Sequence, residues 1–232
     1  MLLLHEVHHI RGATEEEFEA AYRDELMPAL ARDDDSRLLW YCHHAHGSGP
    51  AYHVVTISAL RDGASWERLA RRVHEGDLRA WARRVDELRH DLTAKLLVQV
   101  PWSPMGDIDL SSVPTEPVEH ELSLYMEDTG WPHAAVDDYV DFWERSYYAP
   151  MAANPKSMLR IEAVFRTAFG TGRRKEAVLM QKVVDYDALL RLLTTEVPGA
   201  YRGPGTFMSE ALAFRDRWES KLLRTSAWSP LH

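Results

Sequence analysis

KLLVQVPWSPMG, residues 95–106, recurs in outline as KLLRTSAWSPLH, residues 221–232. Both stretches contain Lys-Leu-Leu, four further residues and then Trp-Ser-Pro, and the second copy begins 126 residues after the first. A β-compatible run that ends at a proline is typical of a strand followed by its exit. We therefore expect two copies of one module, each ending in the same strand.

The elements before the first copy predict what the module is. Three runs of β-compatible residues are expected to be strands, at residues 2–10, 36–46 and 51–60, and the last two are joined by the turn sequence Gly-Ser-Gly-Pro. Residues 14–30 begin with a capping box and continue with apolar residues at helical spacing. Residues 64–90 also carry apolar residues at helical spacing. With AKLLVQV as the fourth strand, the predicted order is β-α-β-β-α-β, the ferredoxin-like pattern.

The second half repeats this order. A strand EHELSLYM, a helix from Ala134, a hairpin from Ser157, helical pieces that include TFMSEALAFRDRWESK, and a last strand from Lys221 follow one another. The aperiodic, proline-containing stretch between the halves predicts a linker. We therefore expect a first module at residues 1–105, a linker at 106–118 and a second module at 119–232.

Composition limits the classes of function. The 232 residues carry a net charge of −9, which disfavours a nucleic-acid-binding protein because such proteins usually present a basic surface. Cys42 is the single cysteine, so no internal disulfide is possible and a reducing cytoplasm is the expected location. No run of residues approaches a membrane span or the apolar core of a signal peptide, so we expect no membrane association.

Two four-stranded sheets with helices on one face each can bury their other faces against one another. This arrangement, an intrachain α+β barrel of two tandem ferredoxin-like modules, resembles the dimeric α+β barrel superfamily over nearly the whole chain. Within that superfamily the starts HEVHHIRGATEEEF and HELSLYM and the exits PWSPM and AWSPLH resemble the NIPSNAP branch. The resemblance implies α+β fold, a ligand cavity bounded by the sheets, and either a monomer with an intrachain barrel or a homodimer.

Alternation along the strands predicts which residues face that cavity. In the second half the set Glu121, Ser123 and Tyr125 is polar and opposes an apolar set, and Arg160 and Glu162 lie in the polar set of a later strand. If the apolar sets pack on helices, these polar residues line the cavity between the facing sheets. Aligning the two halves then makes four first-half residues cavity residues as well, namely Glu6, His8, Tyr41 and His43. The same alignment points His5, His9 and His44 toward the helices.

The cavity histidines suggest proton transfer. Imidazole titrates near neutrality, and Glu6 or Tyr41 can orient or tune a histidine base such as His43 or His8. We expect substrate contacts from Tyr125, Glu121, Arg160, Glu162 and His53. The superfamily resemblance implies cyclisation, isomerisation or cofactor-independent oxygenation of a bulky, partly aromatic small molecule, as in secondary or catabolic metabolism. The leading hypothesis is an enzyme of this kind that needs no cofactor.

Two alternatives remain. Glu6, His8, His43 and His53 offer oxygen and nitrogen ligands, so a metal-dependent oxidative or hydrolytic enzyme is the second hypothesis. A non-catalytic NIPSNAP-like binding protein is the third, because a fold alone does not determine function. Haem is not expected. The resemblance to tandem barrels of the chlorite-dismutase type implies a proximal histidine in the second module, and only His120, His133 and His232 are present there.

Overall fold

Eight strands form one closed antiparallel barrel in the computed structural model, which describes residues 1–172 and 175–232. The strands are β1 (Leu2–Ile10), β2 (Ser36–His44), β3 (His53–Leu60), β4 (Arg89–Gln99), β5 (Leu124–Pro132), β6 (Leu159–Thr167), β7 (Ala177–Val183) and β8 (Arg215–Thr225). Around the barrel their order is β1-β3-β2-β8-β5-β7-β6-β4.

The helices lie between the strands of each half. They are α1 (Glu15–Ala20), α2 (Met27–Leu30), α3 (Gly63–His74), α4 (Arg79–Leu88), α5 (Val136–Trp143), α6 (Ala149–Ala152), α7 (Tyr186–Thr194) and α8 (Phe207–Glu210), with short 3-10 turns at Gly12–Thr14, Leu110–Ser112, Gly199–Tyr201 and Ala211–Ala213. Within the described residues, no helix is long and apolar enough to cross a membrane.

Each half of the barrel is a ferredoxin-like sheet. In the first module β4, β1, β3 and β2 are neighbours in that order, and β8, β5, β7 and β6 repeat it in the second. Short pairings of β2 with β8 and of β4 with β6 join the two sheets. The predicted fold of two tandem modules in an α+β barrel is thus confirmed.

The barrel has a packed interior and two helix-covered outer faces. Leu3, Trp40, Tyr125 and Phe165 belong to the interior cluster, which Leu110, between β4 and β5, joins. Separate clusters fill the space between each sheet and its own helices. Burial of apolar side chains on both faces of the sheets is the main favourable contribution to the stability of this architecture.

The repeated Trp-Ser-Pro exits join each module to the other one. Trp102, after β4, stacks on Tyr148 of the second module at a ring-centroid distance of 5.2 Å. Trp228, after β8, packs 5.0 Å from Tyr41 of the first. The serines act in the same reciprocal way, because the Ser103 hydroxyl accepts the backbone N–H of Val164 and the Ser229 hydroxyl accepts that of Tyr41. The repeated sequence therefore reflects two equivalent sets of contacts, in which the segment after the last strand of each module packs on the other module.

A proline widens the first helix of both modules. Ala21–Leu26 and Glu144–Tyr148 are π-helical and directly precede α2 and α6, whose second residues are Pro28 and Pro150. Proline cannot donate a backbone hydrogen bond and its ring crowds the carbonyl four residues earlier, so the preceding turn opens into a wider one.

Two expectations about secondary structure need correction. The second half was expected to begin with a strand at EHELSLYM and to be helical through Lys221, whereas β5 starts at Leu124 and β8 already starts at Arg215. Pairing with β5 holds residues 215–221 extended even though their own sequence favours a helix. The stretch 64–90, expected to be helical, is divided near Gly76, because α3 ends at His74 and α4 starts at Arg79.

Candidate functional site

A cavity of about 310 Å³ lies between the first sheet and its helices. Aromatic rings of Tyr22, Trp66 and Trp81 form much of its wall, and Glu6 and Arg89 are the charged groups on its sheet side. Apolar residues from the helices complete most of the lining, together with His74 of α3 and Asp86 of α4, and Asp86 accepts a hydrogen bond from Arg89. An apolar cavity with a few convergent polar groups is the usual form of a small-molecule site.

The local structure explains how the charged pair reaches this cavity. Glu6 lies in the middle of β1 with its side chain on the helix-facing side, and Arg89 is the first residue of β4, where the chain leaves α4. Residues of β1 and β4 line one side of the pocket and residues of α3 and α4 line the other, so Glu6 and Arg89 both reach it from the sheet.

The ionisation of Glu6 is perturbed. Burial raises its pKa to about 7, against the opposing effects of the Arg89 charge and of a hydrogen bond from Thr56. The side chain is 16% exposed. A carboxyl group that titrates near neutrality can both take and return a proton at physiological pH.

His8 lies behind Glu6 in a hydrogen-bond relay. Arg89 Nη1 is 2.9 Å from His8 Nδ1, and because arginine only donates, that ring nitrogen is the acceptor. Nε2, which then carries the proton, lies 3.1 Å from Thr56 Oγ1 and 3.2 Å from the Tyr22 hydroxyl, and Thr56 donates to Glu6 Oε2 at 3.4 Å. Burial and the Arg89 charge hold the pKa of His8 well below its usual range. His8 is therefore held in its neutral form beside Glu6.

His43 belongs to a different cluster. Its Nδ1 is 3.2 Å from Glu15, and its Nε2 is 3.2 Å from Glu19 and 3.1 Å from the Ser226 hydroxyl. Trp228 also donates to Glu19, at 2.6 Å. Burial alone would raise the pKa of Glu19, but the hydrogen bonds from its neighbours lower it to about 2. This cluster connects the first helix to the exit of the second module.

The predicted directions of the first-half side chains are wrong. Glu6, His8, Tyr41 and His43 face the helices, whereas His5, His9 and His44 face the barrel interior or its end. For Glu6 and His8 the error comes from the alignment that matched the two His-Glu pairs of the sequence, and for Tyr41 and His43 it comes from the register shifts in β2 and β6. Glu6 pairs with Ala94 and Asp128 pairs with Ser220, so Glu6 corresponds to Asp128 and not to Glu121. A shift by an odd number of residues reverses every side chain of a strand.

The predicted substrate-binding residues are dispersed. Tyr125 is buried in the interior, edge-on to Trp40, and Glu121 is exposed ahead of β5. Arg160 and Glu162 form an ion pair at 2.6 Å along an open groove of the second module. A register shift between Ile161 and Ala163 turns Ala163 inward, which ends the simple alternation that the prediction assumed.

The proposed metal ligands do not converge. His53 lies at the end of β3 on the interior side, next to His9, while Glu6, His8 and His43 face the helices in two separate clusters. Among the described residues, no group of three or more His, Cys, Asp or Glu side chains is placed to hold a metal ion. The four-residue ligand set predicted from the sequence is therefore wrong.

Sequence reasoning overlooked Arg89 and the aromatic wall. Arg89 lies in a stretch predicted to be helical. The repeat, however, indicates that Arg89 begins a strand. Arg89 and Arg215 precede Lys95 and Lys221 by the same spacing, and each arginine begins the last strand of its module. Trp66 and Trp81 occur at helical spacing, which is the pattern of core residues, and only their place in the cavity wall distinguishes them as pocket residues.

Comparison with known proteins identifies the fold. No protein-family model and no curated protein sequence matches the chain. The crystal structure of a proposed monooxygenase from Lactobacillus acidophilus NCFM matches over 99% of this chain and 97% of its own, with a TM-score of 0.58 and 9% identity. The structure of an anthrone oxidase-like protein matches over 97% of this chain and 91% of its own, with a TM-score of 0.57 and 10% identity. These likenesses confirm the predicted resemblance to tandem α+β barrels.

A half-length match is also found. The crystal structure of an uncharacterized NIPSNAP domain protein from Burkholderia xenovorans covers 45% of this chain and 99% of its own, at 22% identity and a TM-score of 0.38.

Proposed function

We propose that this chain is a small-molecule enzyme that abstracts a proton from a bulky, partly aromatic substrate in the cavity of the first module. Glu6 is the base, Arg89 stabilises the negative charge that develops on the substrate, and Trp66 and Trp81 hold its rings. The observation that carries the proposal is a buried carboxyl with a pKa of about 7 next to a guanidinium, in an aromatic cavity.

Cofactor-independent oxygenation is the reaction we place first. The full-length structural neighbours are described as a proposed monooxygenase and an anthrone oxidase-like protein, and the cavity suits flat aromatic compounds. Cyclisation and isomerisation would begin with the same proton transfer.

The oxygenation balances without an external reductant. Glu6 takes a proton from a CH₂ group that lies between two aromatic rings, and the electron pair is delocalised onto a ring-conjugated oxygen near Arg89. The resulting carbanion reduces O₂, so that CH₂ and O₂ become C=O and H₂O. Glu6 returns its proton to the water that leaves, and neither a metal nor an organic cofactor is needed for the stoichiometry.

The test is oxygen consumption by purified protein with anthrone-type substrates, followed with an oxygen electrode and by quinone absorbance. Glu6→Gln removes the base and should lower kcat by about 10²-fold or more, because general-base catalysis contributes at least that much. Arg89→Gln should lower kcat/KM as well. Glu121→Gln, a substitution of an exposed carboxylate outside the cavity, is the matched control and should leave both constants unchanged.

His43 remains the base predicted from the sequence, so His43→Ala is measured in parallel. The proposal requires this variant to keep most of its kcat, because His43 does not line the cavity. Loss of turnover in His43→Ala together with full activity in Glu6→Gln would contradict the assignment of Glu6. Binding of the aromatic compounds without turnover in the wild-type protein would instead favour the non-catalytic alternative.

A further inference from the structure

Four histidines that are scattered in the sequence form one row at an end of the barrel. His44 ends β2, His53 begins β3, and His9 and His90 lie near the ends of β1 and β4, so each strand of the first sheet contributes one. Neighbouring ring centroids are 5.3 Å apart for His44 and His53, 4.7 Å for His53 and His9, and 5.2 Å for His9 and His90. None of them lines the Glu6 cavity.

The central pair of the row is fixed by strand register. His9 and His53 are direct cross-strand partners, and the next pair carries the backbone hydrogen bond from Ile10 to Tyr52. His9 and His53 thus form a non-hydrogen-bonded pair, the type in which facing side chains lie closest together. His9 is exposed and His53 is partly exposed, so solvent and ions reach both.

The ring spacing fits two ligands of one metal ion. A metal–nitrogen bond of about 2.1 Å places each ring centroid roughly 3.2 Å from the metal, so two coordinated imidazoles have centroids about 4.5 Å apart at a right angle and about 5.2 Å at a tetrahedral angle. The observed 4.7 Å lies within that interval. Imidazole is also the commonest protein ligand for Zn²⁺, Cu²⁺ and Ni²⁺.

We propose that His9 and His53 form a two-histidine site for a borderline divalent metal of the Cu²⁺, Ni²⁺ and Zn²⁺ class. As the side chains are placed in the described residues, no third ligand completes a closed site. The ion therefore keeps water at its remaining positions, and His44 and His90 lie next to the site on either side of the pair. Neither ring nitrogen of His44 has a hydrogen-bond partner among the described residues.

This site is independent of the proposed enzymatic function. His8 and His9 are successive residues of β1 and point to opposite faces of the sheet, so the metal lies on the interior side and the Glu6 cavity on the helix side. Failure of one proposal leaves the other intact.

The test is metal titration of untagged protein by calorimetry with CuCl₂, NiCl₂ and ZnCl₂, with MgCl₂ as the hard-ion comparison. One equivalent of each transition metal should bind, Cu²⁺ most tightly, and Mg²⁺ should not bind. His9→Gln and His53→Gln keep a polar side chain but lose the imidazole, and each should weaken Cu²⁺ binding by at least about tenfold. His133→Gln, at an exposed histidine elsewhere, should change nothing.

Electron paramagnetic resonance of the Cu²⁺ complex gives a second readout. Hyperfine structure from two imidazole nitrogens in the wild-type protein, reduced to one in either variant, supports the site. Unchanged affinity in both variants, or an equal loss in His133→Gln, overturns the proposal and assigns the binding to adventitious surface histidines.

Discussion

His5 Nε2 lies 2.7 Å from Glu127 Oε2 in the middle of the barrel, and the two residues occupy equivalent positions of the two modules. His5 pairs across strands with Lys95, and Glu127 pairs with Lys221, which are the lysines of the repeated Lys-Leu-Leu. One position of the repeated module has thus become a base in one copy and an acid in the other. The two meet where the sheets face each other.

Removal of the Glu127 charge should destabilise the barrel strongly. Burial alone would raise the pKa of Glu127, but the interaction with His5, which hydrogen-bonds to it, and the charge of Lys221 hold the pKa well below its usual range. Glu127→Gln leaves the largely buried ammonium of Lys221 without its 3.2 Å counter-charge. We expect a loss of about 3 kcal/mol in the free energy of unfolding, measured with urea at pH 7.5 by tryptophan fluorescence.

The control for this measurement is Glu219→Gln. Glu219 also approaches Lys221, at 3.8 Å, but it is half exposed, and exposed ion pairs contribute less than about 1 kcal/mol. An equal loss of stability in the two variants would argue that Glu127 has no special role.

Ionisation of Glu6 should make the stability of the protein depend on pH. Its pKa is raised from 4.5 to about 7 in the folded protein, so the folded state binds the proton more tightly than the unfolded state does. The stabilisation is complete below about pH 4.5 and is lost as the pH rises through 7. Glu6→Gln, which mimics the protonated acid, should therefore be more stable than wild type at pH 8, by up to about 3 kcal/mol.

At pH 5 the difference in unfolding free energy should shrink to below about 1 kcal/mol, because Glu6 is then protonated in the folded wild type and only its partial ionisation in the unfolded chain remains. Other groups titrate equally in both proteins, so the difference between them isolates Glu6. An equal difference in unfolding free energy between the two proteins at both pH values would mean that the cavity does not shift the pKa of Glu6. A stabilised but inactive variant is also the expected behaviour of a catalytic group held at an energetic cost.

The repeat in the sequence is sufficient to predict the architecture. Lys95 and Lys221, with the two Trp-Ser-Pro exits, mark equivalent strands, and a four-stranded sheet with one apolar face requires a second sheet. Both inferences use spacing and alternation only, and these are properties of the local chain.

The site was not predictable in the same way, because its geometry depends on register between distant strands. The match of His5-Glu6 to His120-Glu121 looks convincing in sequence, yet β5 starts three residues after Glu121 and the equivalent of Glu6 is Asp128. Register shifts within β2 and β6 also reverse the direction of the side chains that follow them. Neither strand contains a glycine or proline that would mark the shift. The titration of Glu6 near pH 7 likewise follows from burial, which no local pattern reveals.

Cys42 should behave as an inert thiol in the folded protein. It is buried in the barrel interior, and burial raises the pKa of its thiol far above the usual range. Only the thiolate is nucleophilic, so iodoacetamide at pH 8 should label native protein only as fast as the barrel opens. Mass spectrometry of samples pulsed in increasing urea should show labelling that follows global unfolding. Rapid labelling without denaturant would show that the interior opens locally.

Gly130 occupies the position in β5 that corresponds to His8 in β1, and the second module fills that space with Tyr139. A Cβ at Gly130 would lie 2.5 Å from the Tyr139 hydroxyl oxygen, and the ring of Tyr139 is fully buried against Trp143. Gly130→Ala should therefore destabilise the protein by about 1–3 kcal/mol through overpacking. Because the closest atom is the hydroxyl, Gly130→Ala combined with Tyr139→Phe should recover part of that loss in urea unfolding. If the double variant loses the sum of the two single effects, steric conflict with Tyr139 is not the cause.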